Sequence, residues 1–278
     1  MKICFNQATT MRHSTLETDL SFCEHYGYDL IEIRLDKLKD YLTRHDVSEL
    51  KAFFENNRIK PYAFNALEFI NFRDEAGFLD IMNGLKFCCD IGDIIDCHKV
   101  VIVPTFDVGN KTIAQIHAET VRVINIMADY AAPRNMKLAF EFVGYPNCSV
   151  NTFGQAYDIV KAVNRENVGI VLDCFHFHSM RSQLADLEKA DAKKIFIFHL
   201  DDSEDLPVGA ARDDNRLMPG EGAIDLKGIF EALKKIGYDS MASIELFRPE
   251  YWEWPDDTTI RVSMEKTKAA VSPYFPIG

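Results

Sequence analysis

Eight short runs of β-branched and aromatic residues recur along the chain, each followed by a longer stretch whose apolar positions return at the helical period. The runs are Ile3 to Asn6, Leu30 to Arg34, Pro61 to Asn65, Val100 to Pro104, Lys137 to Phe142, Gly169 to Asp173, Lys194 to His199 and Ala242 to Leu246. Alternation of this kind builds parallel strands joined by crossover helices. Eight such units within 278 residues, with no G-x-G-x-x-G loop after any strand, predict a (β/α)8 TIM barrel rather than an open doubly wound sheet.

Helices are expected over Leu16 to Tyr26, Val47 to Asn56, Glu75 to Ile95, Thr112 to Ala131, Thr152 to Asn164 and Leu226 to Lys235. Asp46, Asn151 and Thr152 are available as caps, and Gly27, Gly92 and Gly237 stand where helices should stop. No repeat, low-complexity tract or linker interrupts the pattern, so residues 1–278 are expected to form a single barrel domain. The longest irregular stretch, Leu200 to Ile224, follows the seventh strand, and its length marks it as a functional loop.

Lys plus Arg number 31 against 43 Asp plus Glu, a formal net charge of −12 that repels a nucleic-acid backbone unless a local basic patch intervenes. No Lys/Arg run supplies one. The seven cysteines contain no C-x-x-C pair, which argues against a disulfide framework or zinc knuckle and fits a reducing cytoplasm. Met1 to Gln7 turns polar at once, and no apolar run approaches the ~20 residues that span a bilayer, so neither a leader nor a membrane partner is expected. A homo-oligomer is compatible with the sequence.

In such barrels chemistry sits at the carboxyl ends of the strands. The fifth expected strand carries Glu141 near its end, the sixth ends in Asp173, the seventh in His199, and the eighth carries Glu245. Each follows a run too apolar to tolerate an unpaired charge. Any one of them alone is as readily a solvated strand end, but four together call for a divalent cation, which neutralises converging carboxylates and accepts mixed oxygen and nitrogen ligands. Mn, Co, Fe and Zn all suit such a set.

His176, three residues beyond Asp173, is a candidate for touching substrate, with a backbone-bonded loop histidine as the bland alternative. On spacing alone Arg216, in the seventh loop before Pro219-Gly220, reads more readily as a solvated surface residue than as a clamp on a substrate oxygen. Arg34 and Asn65, at the second and third strand ends, are placed to bind hydroxyls from the opposite rim or to satisfy loop carbonyls. Trp252 and Trp254 follow the eighth strand, where they form an apolar lid over a ring substrate or dock the last helix.

The ordered ends Glu141, Asp173-x-x-His176, His199 and Glu245, with Arg216 ahead of Pro219-Gly220, resemble the xylose-isomerase-like barrel superfamily of sugar isomerases, epimerases and endonuclease IV. Longer runs narrow the resemblance to the bacterial inosose isomerase family: Cys4-Phe5-Asn6, Tyr28 to Arg34, Asn65-Ala66-Leu67, Glu141 to Gly144, Asn151-Thr152-Phe153, Asp173 to His178 and Ser243 to Tyr251. By that resemblance Glu141, Asp173, His199 and Glu245 would hold one divalent metal ion. Glu141 and Glu245 would be the acid and base, and His176 and Arg216 would polarise substrate oxygens. The implied reaction interconverts 2-keto-myo-inositol and 1-keto-D-chiro-inositol through an enediolate, in inositol catabolism; the implied partner is a small cyclic polyol ketone. Similar keto-sugar epimerases carry a second glutamate six residues after the first ligand, where this chain has Asn147, and endonuclease IV has a histidine where this chain has Arg216. An inosose dehydratase would use the same ligands, and a non-catalytic sugar-binding barrel is the reading from another class.

Overall fold

Parallel pairing closes eight strands into a barrel in the computed structural model, which describes residues 1–278. In chain order they are β1 (Lys2–Asn6), β2 (Leu30–Arg34), β3 (Lys60–Leu67), β4 (Lys99–Ile102), β5 (Lys137–Glu141), β6 (Val168–Asp173) and β7 (Ile195–Leu200), then β10 (Met241–Ile244), which pairs with both β7 and β1. Two short strands, β8 (Asp202–Ser203) and β9 (Arg216–Leu217), form an antiparallel hairpin after β7, within the stretch expected to be irregular.

Side chains alternate along each strand, so one set fills the barrel and the other meets the helices. The inner set includes Cys4, Leu30, Ala63, Val101, Ala139, Val171, Ile197 and Met241. The outer set, with Phe64, Leu138, Phe140 and Phe198, packs against helices such as Leu16–Tyr26 and Glu75–Ile95 in the larger core. Burial of that material drives closure and makes the strand ends a rigid platform.

Several boundaries move for identifiable reasons. β4 stops at Ile102 rather than Pro104, since a proline has no N–H for the ladder. β10 stops at Ile244 because the Leu246 N–H turns to Thr9 Oγ1 at 3.1 Å, which leaves Glu245 just beyond the strand. Thr112 and Thr152 cap their helices from outside rather than opening them, and Asn151 caps nothing, its amide going instead to the Tyr145 carbonyl. Gly27 ends its helix at φ +83° as expected, but Gly92 lies inside Glu75–Ile95. A Cβ at Gly92 would stand 2.3 Å from the Cys97 carbonyl oxygen, so that glycine serves a close approach and the stop falls to Asp96 at φ +60°. All seven cysteines are free and buried, and no helix is long and apolar enough to cross a membrane.

Candidate metal centre

Register brings the four strand-end candidates together. Asp173 is the direct partner of His199 across β6 and β7, and Ser243, two residues before Glu245, partners His199 from β10. The ligand atoms of Glu141, Asp173, His199 and Glu245 all lie within 4.8 Å of one another, and all four residues are buried. Around His199 Nδ1 stand Glu141 Oε1 at 3.0 Å, Glu245 Oε2 at 3.0 Å and Asp173 Oδ2 at 3.6 Å.

The donor set fits a divalent cation: three hard carboxylate oxygens and one imidazole nitrogen, buried where no water screens their mutual repulsion. Proton affinities carry the same message. Burial, aided by the charges of Glu245 and Asp173, pushes the Glu141 carboxyl up to about 8 against the pull of His199. Burial opposes the imidazolium of His199, but the carboxylates of Glu245, Glu32 and Glu141 outweigh it and hold that group well above the usual histidine range. Without a cation the cluster retains protons that a cation would replace.

A supporting layer lies beneath. Asn6 and Glu32 are direct partners across β1 and β2, and each reaches a different candidate ligand. Glu32 accepts from His199 Nε2 at 3.1 and 3.2 Å, leaving Nδ1 for the cluster. The Asn6 amide donates to Glu245 Oε1 at 2.7 Å and the Asn65 amide to the same oxygen at 3.3 Å, which leaves Oε2 facing inward. Asp173 uses Oδ1 to cap the helix Cys174–Ser179, accepting the His176 N–H at 2.7 Å, while Oδ2 takes the Arg216 guanidinium at 2.8 Å. That cap is the structural reason for the spacing between Asp173 and His176.

Arg216 is not a solvated surface residue. The β8/β9 hairpin folds it back over the barrel mouth, where it is 1% exposed. Its guanidinium meets Asp173, Asp201, Asp213 and Glu245 and lies between the rings of Phe175 and Phe247, at 4.8 and 5.4 Å. Arg216 Nη2 donates to His176 Nε2 at 3.3 Å, which puts the imidazole proton on Nδ1, an atom with no partner in the protein.

A cavity of about 280 Å³ opens above the cluster, and Arg34, Asn65, Glu141, His176, Arg216 and Glu245 all border it. Phe69, Phe106 and Tyr145 form one apolar wall, their rings 5.7 and 6.1 Å apart in sequence. Arg34 reaches the rim while its guanidinium is held by Asp36 at 3.0 and 3.1 Å. Trp252 does not border the cavity: its indole N–H donates to the Ala8 carbonyl at 2.8 Å, so of its two expected roles the structure supports packing and not the substrate lid, and Trp254 packs edge-on against Tyr251. Asn147 is also outside, bonded to Asp107 at 3.1 Å. Sequence reasoning passed over Glu32, Asn6 and Asp201 as parts of the site. Glu32 had a readable signal, a lone charge inside Leu30-Ile31-Glu32-Ile33.

Comparison with known proteins places this geometry. Residues 20–270 match the xylose isomerase-like TIM barrel family. An inosose isomerase of Bacillus licheniformis is 50% identical over 278 residues, covering 100% of both chains. One of Halalkalibacterium halodurans is 48% identical over 278 residues, covering 100% of this chain and 99% of the other. A crystal structure of the IolI protein with a bound zinc atom superposes with a TM-score of 0.97 at 47% identity, covering 99% of each chain. The chain belongs to the xylose isomerase-like TIM barrel family, and within it to the branch of its full-length inosose isomerase relatives.

Proposed function

We propose that the chain is an inosose isomerase that interconverts 2-keto-myo-inositol and 1-keto-D-chiro-inositol, with one divalent cation held by Glu141, Asp173, His199 and Glu245. The observation that carries this reading is the convergence of those four buried donors at the base of a cavity bordered by Arg34, Asn65, His176 and Arg216. Full-length relatives at 47 to 50% identity, named inosose isomerase, supply the substrate class. Residues 1–278 are taken to work as one domain, since every strand belongs to one barrel or to its β8/β9 hairpin.

A cation bound there supplies Lewis acidity to the ketone and the neighbouring hydroxyl, which makes the C–H between them acidic. The chain's own groups do the rest. Glu141 and Glu245, approaching from β5 and from the end of β10, would take the proton from one carbon and return one to its neighbour, while the hydroxyl proton passes from the oxygen that becomes the new carbonyl to the old carbonyl oxygen, so that the isomeric ketone forms with no change in formula. His176 and Arg216, which both border the cavity, polarise the substrate oxygens as charge grows on them. Phe69, Phe106 and Tyr145 offer an apolar wall to the C–H face of a ring and restrict water on that side. The oxygen and nitrogen set suits Mn, Co, Fe and Zn, and the zinc atom in the related crystal structure makes Zn the first ion to test.

Incubation of metal-loaded protein with 2-keto-myo-inositol tests the reading. The expected product is an isomer of unchanged mass. A product lighter by one water and absorbing in the ultraviolet would assign a dehydratase, and unchanged substrate would leave a sugar-binding barrel.

A further inference from the structure

The opposite mouth of the barrel holds a second, basic cavity. Parallel strands that aim their carboxyl ends at the metal centre must frame the other opening with their amino ends. There β4 begins with Lys99 and β5 with Lys137, and these two lysines are direct partners in the β4/β5 register. The alternation that turns Val101 and Ala139 into the barrel turns both lysines the same way. Tyr62 closes the barrel above them, its hydroxyl donating across to the Phe196 carbonyl at 2.8 Å. Lys99 Nζ sits 3.8 Å from the centre of the Tyr62 ring and Lys137 Nζ 5.6 Å from that of Phe196. Lys193, in the turn Ala192–Lys194 before β7, reaches the same cavity, which measures about 480 Å³.

Charge is what makes this place unusual. The chain carries a net charge of −12, yet Lys99, Lys137 and Lys193 take part in none of its ion pairs. The one acid on the lining, Asp239, is engaged by the N-terminal ammonium at 3.1 Å. Like charges placed directly opposite on neighbouring strands are destabilising, and a half-buried ammonium without a partner adds a desolvation penalty. Burial and the neighbouring Lys137 charge together hold Lys99 below the usual lysine range, although the Cys97 and Cys4 thiols and the Glu32 carboxylate inside the barrel work the other way. Aromatic faces offset part of this cost, but only an anion opposes all three charges at once.

We propose that the amino-terminal mouth of the barrel is a binding site for a small multivalent oxyanion, inorganic phosphate or a phosphomonoester, held by Lys99, Lys137 and Lys193. The sequence hides it because the three lysines lie on separate segments and form no run. The site stands at the other end of the barrel from the metal centre and is independent of the reaction proposed there.

Isothermal titration of the metal-loaded protein with inorganic phosphate, and separately with glycerol 3-phosphate, at fixed ionic strength tests the proposal. A Lys99→Met, Lys137→Met double variant keeps the aliphatic stems and removes both charges. The expected result is saturable binding to the wild type, at least tenfold weaker in the double variant, with the isomerase rate of that variant unchanged. Whichever titrant binds more tightly identifies the source of the anion. Equal affinity in the two proteins would place the anion elsewhere, at the metal centre for example, and absence of binding at about 10 mM titrant would also overturn the proposal. If the double variant fails to fold, the exposed pair Lys137→Met, Lys193→Met carries the same comparison.

Discussion

Glu32 and His199 meet inside the barrel with both side chains fully buried, the carboxylate oxygens of Glu32 lying 3.1 and 3.2 Å from His199 Nε2. A carboxylate in that position fixes which ring nitrogen carries a proton and leaves Nδ1 facing Glu141, Asp173 and Glu245. Replacement of a group that orients a ligand in this way typically weakens metal binding by about 10- to 100-fold. Glu32→Gln should therefore lower metal affinity by that factor while the fold is retained, as read by competition with a chelator of known affinity. Wild-type affinity in the variant would show that Glu32 only fills the barrel.

Metal loading should depend on pH with a definite sign. In the metal-free protein the Glu141 carboxyl keeps its proton up to about 8, and His199 keeps its own well above the usual histidine range. A cation needs the carboxylate ionised and the imidazole neutral, so binding expels protons and acid competes with it. Apparent affinity should rise from pH 6 to pH 8, by about tenfold per pH unit for each proton displaced. Competition titrations at three pH values provide the check, and a flat or falling trend would contradict it.

Arg216 should matter for folding as well as for chemistry. At 1% exposure it faces Asp173, Asp201 and Glu245, whose side chains are themselves buried. Removing one partner of a buried ion pair leaves uncompensated charge and costs about 3–5 kcal/mol. Arg216→Ala should show a loss of that size in urea denaturation of the metal-free protein. A loss below about 1 kcal/mol would return the side chain to the energetic class of exposed pairs.

The two candidate acid/base residues separate from mere ligands by a metal titration. Glu141→Gln and Glu245→Gln each keep the side-chain volume and an amide oxygen but lose the group that moves a proton. Positioned acid/base groups contribute about 10²–10⁴-fold, so each variant should lose at least that much rate even at saturating metal. Recovery of full activity with added metal in both variants would leave only a holding role, with His176 the next base to examine.

Much of this arrangement is legible in the sequence because two patterns are local. Strand and helix periods announce eight βα units, and a charge after an apolar run marks Glu141, Asp173, His199 and Glu245. What escapes depends on register and on chain reversal. Glu32 lies within its strand, and nothing nearby in sequence shows that it faces His199 on β7. Arg216 is folded back by strands of two residues, too short to carry any period. Trp252 follows the eighth strand closely, but the turn Pro249–Trp252 swings its indole to Ala8 instead of over the cavity.

The most direct test of isomerisation at this centre is NMR of 2-keto-myo-inositol incubated in D₂O with metal-loaded protein, beside the metal-stripped form and an Asp173→Ala variant. The expected result is formation of 1-keto-D-chiro-inositol with deuterium entering at the carbon that becomes reprotonated, together with loss of turnover in both comparison samples. Equal turnover in the metal-stripped protein or in Asp173→Ala, or a product that has lost water, would contradict it.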